Sequence, residues 1–98
     1  MTLQEITAKM KEGASKKSAF GNTVKFSTDQ GAVYIDGMQT PPVVSNDDKA
    51  ADCILKMDFN DFAGLIGGKL DGMTAFMTGK LKIEGDIGVA MKLQSILR

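Results

Sequence analysis

Ninety-eight residues suit a single domain spanning 1–98, since domains centre on ~100–150 residues, and such a chain buries roughly two-thirds of its unfolded surface. Twelve basic residues balance twelve acidic ones, so no global field draws in nucleic acid or anionic membrane. No His and no Trp occur, which removes His-based general-base catalysis and most zinc sites.

Thr2 and Glu5 form a T-x-x-E capping box, a helix start signal. Leu3, Ile6, Met10 and Ala14 follow at helical spacing, and Gly13 weakens the end. From Phe20 the period changes to two. Val24 and Phe26, a turn at Asp29-Gln30-Gly31, then Val33 and Ile35 predict a β-hairpin. Pro41-Pro42 limits Val43-Val44 to a short strand at an edge, because proline cannot donate to a ladder. Asp52–Met57 is a further strand with Cys53, Leu55 and Met57 on one face. Ile54 breaks the polar pattern of the other.

Asp58 is a candidate N-cap for a helix over Phe59–Ile66, with Phe62, Leu65 and Ile66 as its apolar stripe. Gly67-Gly68 ends it in a left-handed conformation. Asp71 caps a second short helix carrying Met73, Ala75, Phe76 and Met77, and Gly79 closes it. Lys80–Glu84 alternates strictly, so one face is buried and one is wet. Gly85 turns the chain and Asp86 caps the last helix. There Ile87, Ala90, Met91, Gln94 and Leu97 form one stripe. The order of elements predicts an α+β fold, with a largely antiparallel sheet and helices on one face.

The chemistry-bearing groups are few. Cys53, the one cysteine, forms no internal disulfide and faces inward on its strand, where it packs as a small hydrophobe. Asp52 and Asp58 flank it, and nothing nearby lowers its pKa. The Asp set 47, 48, 52, 58 and 61 lacks EF-hand spacing. No dinucleotide or phosphate-binding glycine loop is present. Neither a catalytic residue nor a metal ligand is expected, and no cofactor.

The apolar excess of the helices fits two readings. It is an ordinary core, or it walls a cavity between short helices and the sheet. Seven Met favour the second, because Met repacks around varied guests. Gln94 sits on the apolar stripe of the last helix. A buried amide without partners costs ~1–3 kcal/mol, so it is held either by backbone or by a ligand head group. No apolar run approaches the ~20 residues of a membrane span. The mixed charge of the first fifteen residues is unlike a secretory signal. The cytoplasm is the expected compartment.

Beyond these patterns, a run of motifs is more specific. Ala51-Asp52-Cys53-x-x-x-Met57, Asp61-Phe62, Gly68-Lys69-Leu70 and Ala75-Phe76-Met77-x-Gly79-Lys80-Leu81-Lys82-Ile83-x-Gly85-Asp86-x-Gly88-x-Ala90-Met91-Lys92-Leu93-Gln94 resembles the sterol carrier protein 2 family. The resemblance is continuous from Ala50 to Gln94 and looser before. It implies a five-stranded sheet covered by helices, with an apolar tunnel for fatty acyl chains, acyl-CoA, sterols or phospholipids, and no catalysis. It also implies that Phe76, Met77, Leu81 and Ile83 line or border the tunnel, as do Met91 and Gln94. Periodicity adds Phe62 and Ile66. The chain is expected to depart from the family pattern in a compact N-terminal half, in final residues that do not read as a peroxisomal signal, and in having no neighbouring enzyme domain.

The expected function is non-catalytic lipid binding and intracellular transfer, with transient membrane contact and no nucleic-acid partner. The alternative is an accessory module that presents a lipid-like intermediate to a partner enzyme. An acyl-enzyme mechanism is disfavoured by the missing His and the inward Cys53. Glycine density places the ligand's way in at Gly67-Gly68 and Gly79.

Overall fold

A computed structural model of the chain describes the backbone of residues 1–96 and the side chains of residues 1–92. Helix α1 (Leu3–Ala14) begins at Thr2. The Thr2 hydroxyl accepts from the Glu5 amide and Glu5 Oε1 accepts from the Thr2 amide, both at 3.1 Å. Two of the amides that every helix start leaves orphaned are thereby satisfied. Ile6 and Met10 point into the core. Buried Thr7 donates to the Leu3 carbonyl at 2.7 Å and accepts from Asn46 Nδ2 at 3.0 Å.

Strands β1 (Thr23–Thr28), β2 (Gly31–Asp36), β3 (Val43–Ser45), β4 (Cys53–Lys56) and β5 (Lys82–Gly85) form one sheet in the order β3-β2-β1-β4-β5. β1 and β4 are parallel, and the other three pairs are antiparallel. The α+β expectation of a five-stranded, largely antiparallel sheet holds. β1 starts later than the period-two pattern suggests. The amides of Phe20 and Gly21 both donate to the Gly37 carbonyl, at 2.8 and 2.9 Å, which closes the base of the hairpin ahead of the ladder.

Register fixes the faces, because neighbours across a ladder share a side. Val24 pairs with Ile35 and Cys53, Phe26 with Val33 and Leu55, and Leu55 with Ile83. This face meets Ile6, Met10, Phe59, Phe62, Ala75 and Val89 from the helices in one buried cluster. All the helices therefore lie on one side.

The outer face is not simply wet. The chain leaves β3 at the sheet edge and re-enters at β4, beyond β1. On the way Asp48 pairs with Lys25 Nζ at 2.7 Å, and Lys49 Nζ sits 4.7 Å from the centre of the Tyr34 ring. These contacts bring the connection over the outer face, and Tyr34 is only 7% exposed. That explains why β2 is buried at four successive positions, Ala32–Ile35, rather than alternately.

Helix α2 (Phe59–Ile66) corrects one expectation. Asp58 occupies the N-cap, but its side chain makes no capping bond. The Phe59 amide instead donates to Asp29 Oδ1 at 2.8 Å, from the turn of the β1–β2 hairpin. At the other end Gly67 stays right-handed and Gly68 alone is left-handed, with φ +78°. Helix α3 (Gly72–Met77) is capped by Asp71, which accepts from the Thr74 amide at 3.1 Å. β5 starts at Lys82 because the Lys80 and Leu81 amides are both spent on the Ala75 carbonyl. Gly85 has φ +87°, and a Cβ there would collide with the Asp52 carbonyl oxygen, the acceptor of the Asp86 amide at 2.9 Å. Helix α4 (Ile87–Ile96) follows, with Asp86 Oδ1 accepting from the Gly88 amide at 2.9 Å.

Candidate functional site

The sheet and helices do not close on each other everywhere. A half-open cavity of about 540 Å³ lies between the β1–β4–β5 side of the sheet and the helices α2, α3 and α4. Phe26, Leu55, Met57 and Ile83 form its floor, with Leu81 beside them. Leu65 and Ile66 bring in the end of α2, and Gly68 and Leu70 the loop that follows. Met73 and Phe76 of α3 and Ile87, Ala90 and Met91 of α4 complete it. Four of these are large apolar side chains left open to solvent: Met73, Phe76, Ile87 and Met91 are 46–65% exposed. The cavity therefore has greasy lips as well as greasy walls.

The opening follows from short helices. α3 holds six residues and meets the core through Ala75 alone, a side chain too small to draw the helix onto the sheet. α4 enters the core through Val89. Its neighbours Ile87, Ala90 and Met91 are left to face the cavity.

The site offers little chemistry. The one ionisable wall residue among the described residues, Asp71, already holds the Thr74 amide and, at 3.3 Å, the Thr74 hydroxyl. Cys53 is fully buried in β4 and is not on the wall. Burial first, and then the Asp86 carboxylate, push its thiol above the ordinary range, the direction that disfavours the reactive thiolate. Among the described residues no cluster of three metal-ligating side chains occurs. What the arrangement can do is remove apolar surface from water.

The structure brings five of the sequence-derived site residues together on this wall: Ile66, Phe76, Leu81, Ile83 and Met91. Phe62 is not there. It is fully buried and stacks on Phe26 with ring centres 4.9 Å apart. The periodicity that singles it out is that of the core, and it supports the cavity floor from behind. Met77 is 78% exposed and off the wall, because successive residues of a helix point about 100° apart, so Phe76 and Met77 diverge in direction. The side chain of Gln94, and Leu97 altogether, lie outside the described residues. Gly68 lines the cavity, whereas Gly79 does not.

Phe26, Leu55, Met57 and Ala90 were missed as wall residues. Their sequence signal is the same alternation or stripe that marks core, and it does not tell a lined void from a filled one. Met73 and Ile87 are at i−3 and i−4 from Phe76 and Met91, a spacing that finds them.

A second cavity of about 350 Å³ lies at the other end of the helical layer. It is bounded by the last turn of α1, Phe20, Ile35, Pro42 and Ile66, with Lys9, Lys16, Lys17 and Glu12 around it. Ile66, the last residue of α2, belongs to both cavities.

The comparisons agree with this architecture. Sterol carrier protein 2 of Homo sapiens is 50% identical over 54 residues, 55% of this chain and 10% of that protein. The chain thus spans about a tenth of the curated relatives it matches. The solution structure of sterol carrier protein domain 2 of Helicoverpa armigera superposes with a TM-score of 0.78 at 24% identity, covering 96% of this chain and 84% of that one. The Aedes aegypti sterol carrier protein 2 in complex with the C16 fatty acid palmitate gives 0.76 at 21% identity, covering 99% and 96%. Residues 3–98 match the SCP-2 sterol transfer family from the first helix onward, and the chain belongs to that family.

Proposed function

We propose that this chain binds lipids with long apolar chains in the 540 Å³ cavity and passes them on without altering them. The observation that carries the reading is a half-open cavity with apolar walls and lips and, among the described residues, no free ionisable group on it. Its volume falls within the ~300–1,000 Å³ of small-molecule sites. Palmitate bound by the Aedes aegypti relative supports an acyl chain as occupant. We take Ile66, Phe76, Leu81, Ile83 and Met91 as the contacts, with Gln94 as a head-group anchor.

Ten methylenes leaving water contribute ~8 kcal/mol at ~0.8 each. Lost translational freedom and ordering subtract several kcal/mol, so binding is weak and tolerant of shape, as delivery requires. The exposed Met73, Phe76, Met77, Ile87 and Met91 suit brief contact with a membrane, across which a chain can enter without crossing water.

The test is direct. Protein purified from cells is extracted with organic solvent, the extract is identified by mass spectrometry, and a fluorescent fatty acid is titrated into the delipidated protein. Saturable binding at about one per chain is expected. Neither passenger nor saturable binding in a folded protein would overturn the reading.

A further inference from the structure

We infer that Ile66 is the partition between the two cavities and sets the length of the apolar chain the site accepts. This rests on the lipid-binding reading above. Among the described residues Ile66 is the one side chain that borders both the 540 Å³ cavity and the 350 Å³ cavity.

Its position in the chain makes it a partition. α2 stops at Ile66, and the Gly67 and Gly68 amides close the helix back on the Ala63 and Leu65 carbonyls. The backbone then turns away toward Leu70, so no further helical turn stands between the hollows. On the sheet beneath, Phe26 of β1 floors one and Ile35 of β2 borders the other, both on the same inner face.

The two spaces differ at their ends. The larger opens between apolar lips. The smaller has Met10, Ala14 and Phe20 on its wall and lysines about its mouth. A chain that fills the larger cavity therefore meets Ile66, with more apolar space behind it.

Chain length then has a measurable signature. Each methylene taken out of water strengthens binding about fourfold, until the chain reaches the partition and the gain stops. Ile66→Ala removes three carbons from the wall and opens the way into the second cavity. Ile66→Phe thickens the wall. Ala14→Phe fills the second cavity without touching the first, since Ala14 lines only the smaller one.

The experiment measures competition of straight-chain fatty acids from C10 to C20 against a fluorescent fatty acid, on the delipidated chain, with folding checked by circular dichroism. In the parent, affinity rises with length and then levels. Ile66→Ala moves the levelling point out by at least two carbons, worth about fifteenfold for the longer acid. Ile66→Phe moves it in. Ala14→Phe leaves the parent profile alone and cancels the gain when combined with Ile66→Ala.

An unmoved levelling point in folded Ile66→Ala, or a gain that survives in the double variant, overturns the partition while lipid binding stands. A parent that binds no acid of the series overturns the lipid reading and the partition with it. If Ile66→Ala does not fold, Ile66→Val removes one carbon and is read by the same shift.

Discussion

A charge placed on the cavity lip separates the proposed binding from mere surface greasiness. Phe76 lines the cavity and is 46% exposed, whereas its neighbour Met77 is 78% exposed and off the wall. Both lie at the C-terminal end of α3, so a carboxylate at either position opposes the helix dipole equally, at ~0.3–1 kcal/mol. Only at position 76 does it face a bound chain.

Full burial of a Phe is worth ~1.5–3 kcal/mol, so a half-covered ring contributes about 1 kcal/mol to the ligand contact. A carboxylate that must shed part of its hydration against an acyl chain adds at least the ~1–3 kcal/mol that a buried neutral polar group costs in protein variants. The lower end of the sum is about 2 kcal/mol, or about thirtyfold. Phe76→Asp should therefore weaken binding of a fluorescent fatty acid about thirtyfold or more. Met77→Asp should change it less than about twofold. Thermal unfolding and circular dichroism should show both folded. Equal weakening by the two substitutions, or unchanged affinity in folded Phe76→Asp, would refute the placement of the ligand.

Three further outcomes test the frame around the site. Gly85→Ala combines an unfavourable φ of +87° with a Cβ against the Asp52 carbonyl, and urea unfolding should register a loss of at least about 2 kcal/mol. A loss under about 0.5 kcal/mol would mean that the β4–β5 approach is looser than described. Asp29→Ala orphans the partly buried Phe59 amide and should cost ~1–2 kcal/mol, whereas Asp58→Ala, which removes no bond, should cost far less. The reverse ranking would return the cap to Asp58. Cys53 has its folded-state pKa raised, so the folded chain holds this proton more tightly than the unfolded one. Stability from this source is intact below the unfolded thiol's ~8.5 and declines as pH climbs above it. The alkaline slope of the unfolding midpoint should flatten in Cys53→Ala, and an unchanged slope would assign it elsewhere.

Where a local rule has no competitor, the sequence predicts the element. The Thr2–Glu5 box, the Asp71 cap and the Asp29–Gly31 turn each depend on residues within four positions of one another, and each formed as expected. The features that local patterns miss share a cause. The cap of α2 comes from Asp29, thirty residues away, and the burial of Tyr34 comes from a connection that begins twelve residues later, at Asn46. Neither is visible to a window, because each depends on which strand lies beside which. The parallel β1–β4 pair forces the chain from β3 back across the sheet, and that single topological fact places both the Lys49 contact and the Asp48 contact.

The cavity is a harder case, and the contrast between Phe62 and Phe76 shows why. Both are aromatic, both sit on apolar stripes, and periodicity alone treats them alike. Phe62 lies on a helix of eight residues that begins at the hairpin turn and is held there by Asp29, so its ring is driven onto Phe26 and the gap closes. Phe76 lies on a helix of six residues anchored only by Ala75, so its ring stands at a lip. Alternation and helical spacing say which way a side chain points. Whether anything meets it there is decided by how long the opposing element is and how firmly its ends are fixed. Those two quantities separate a wall from a plug in this fold, and they make the ends of α2 and α3, more than the composition of either, the determinants of what the interior can hold.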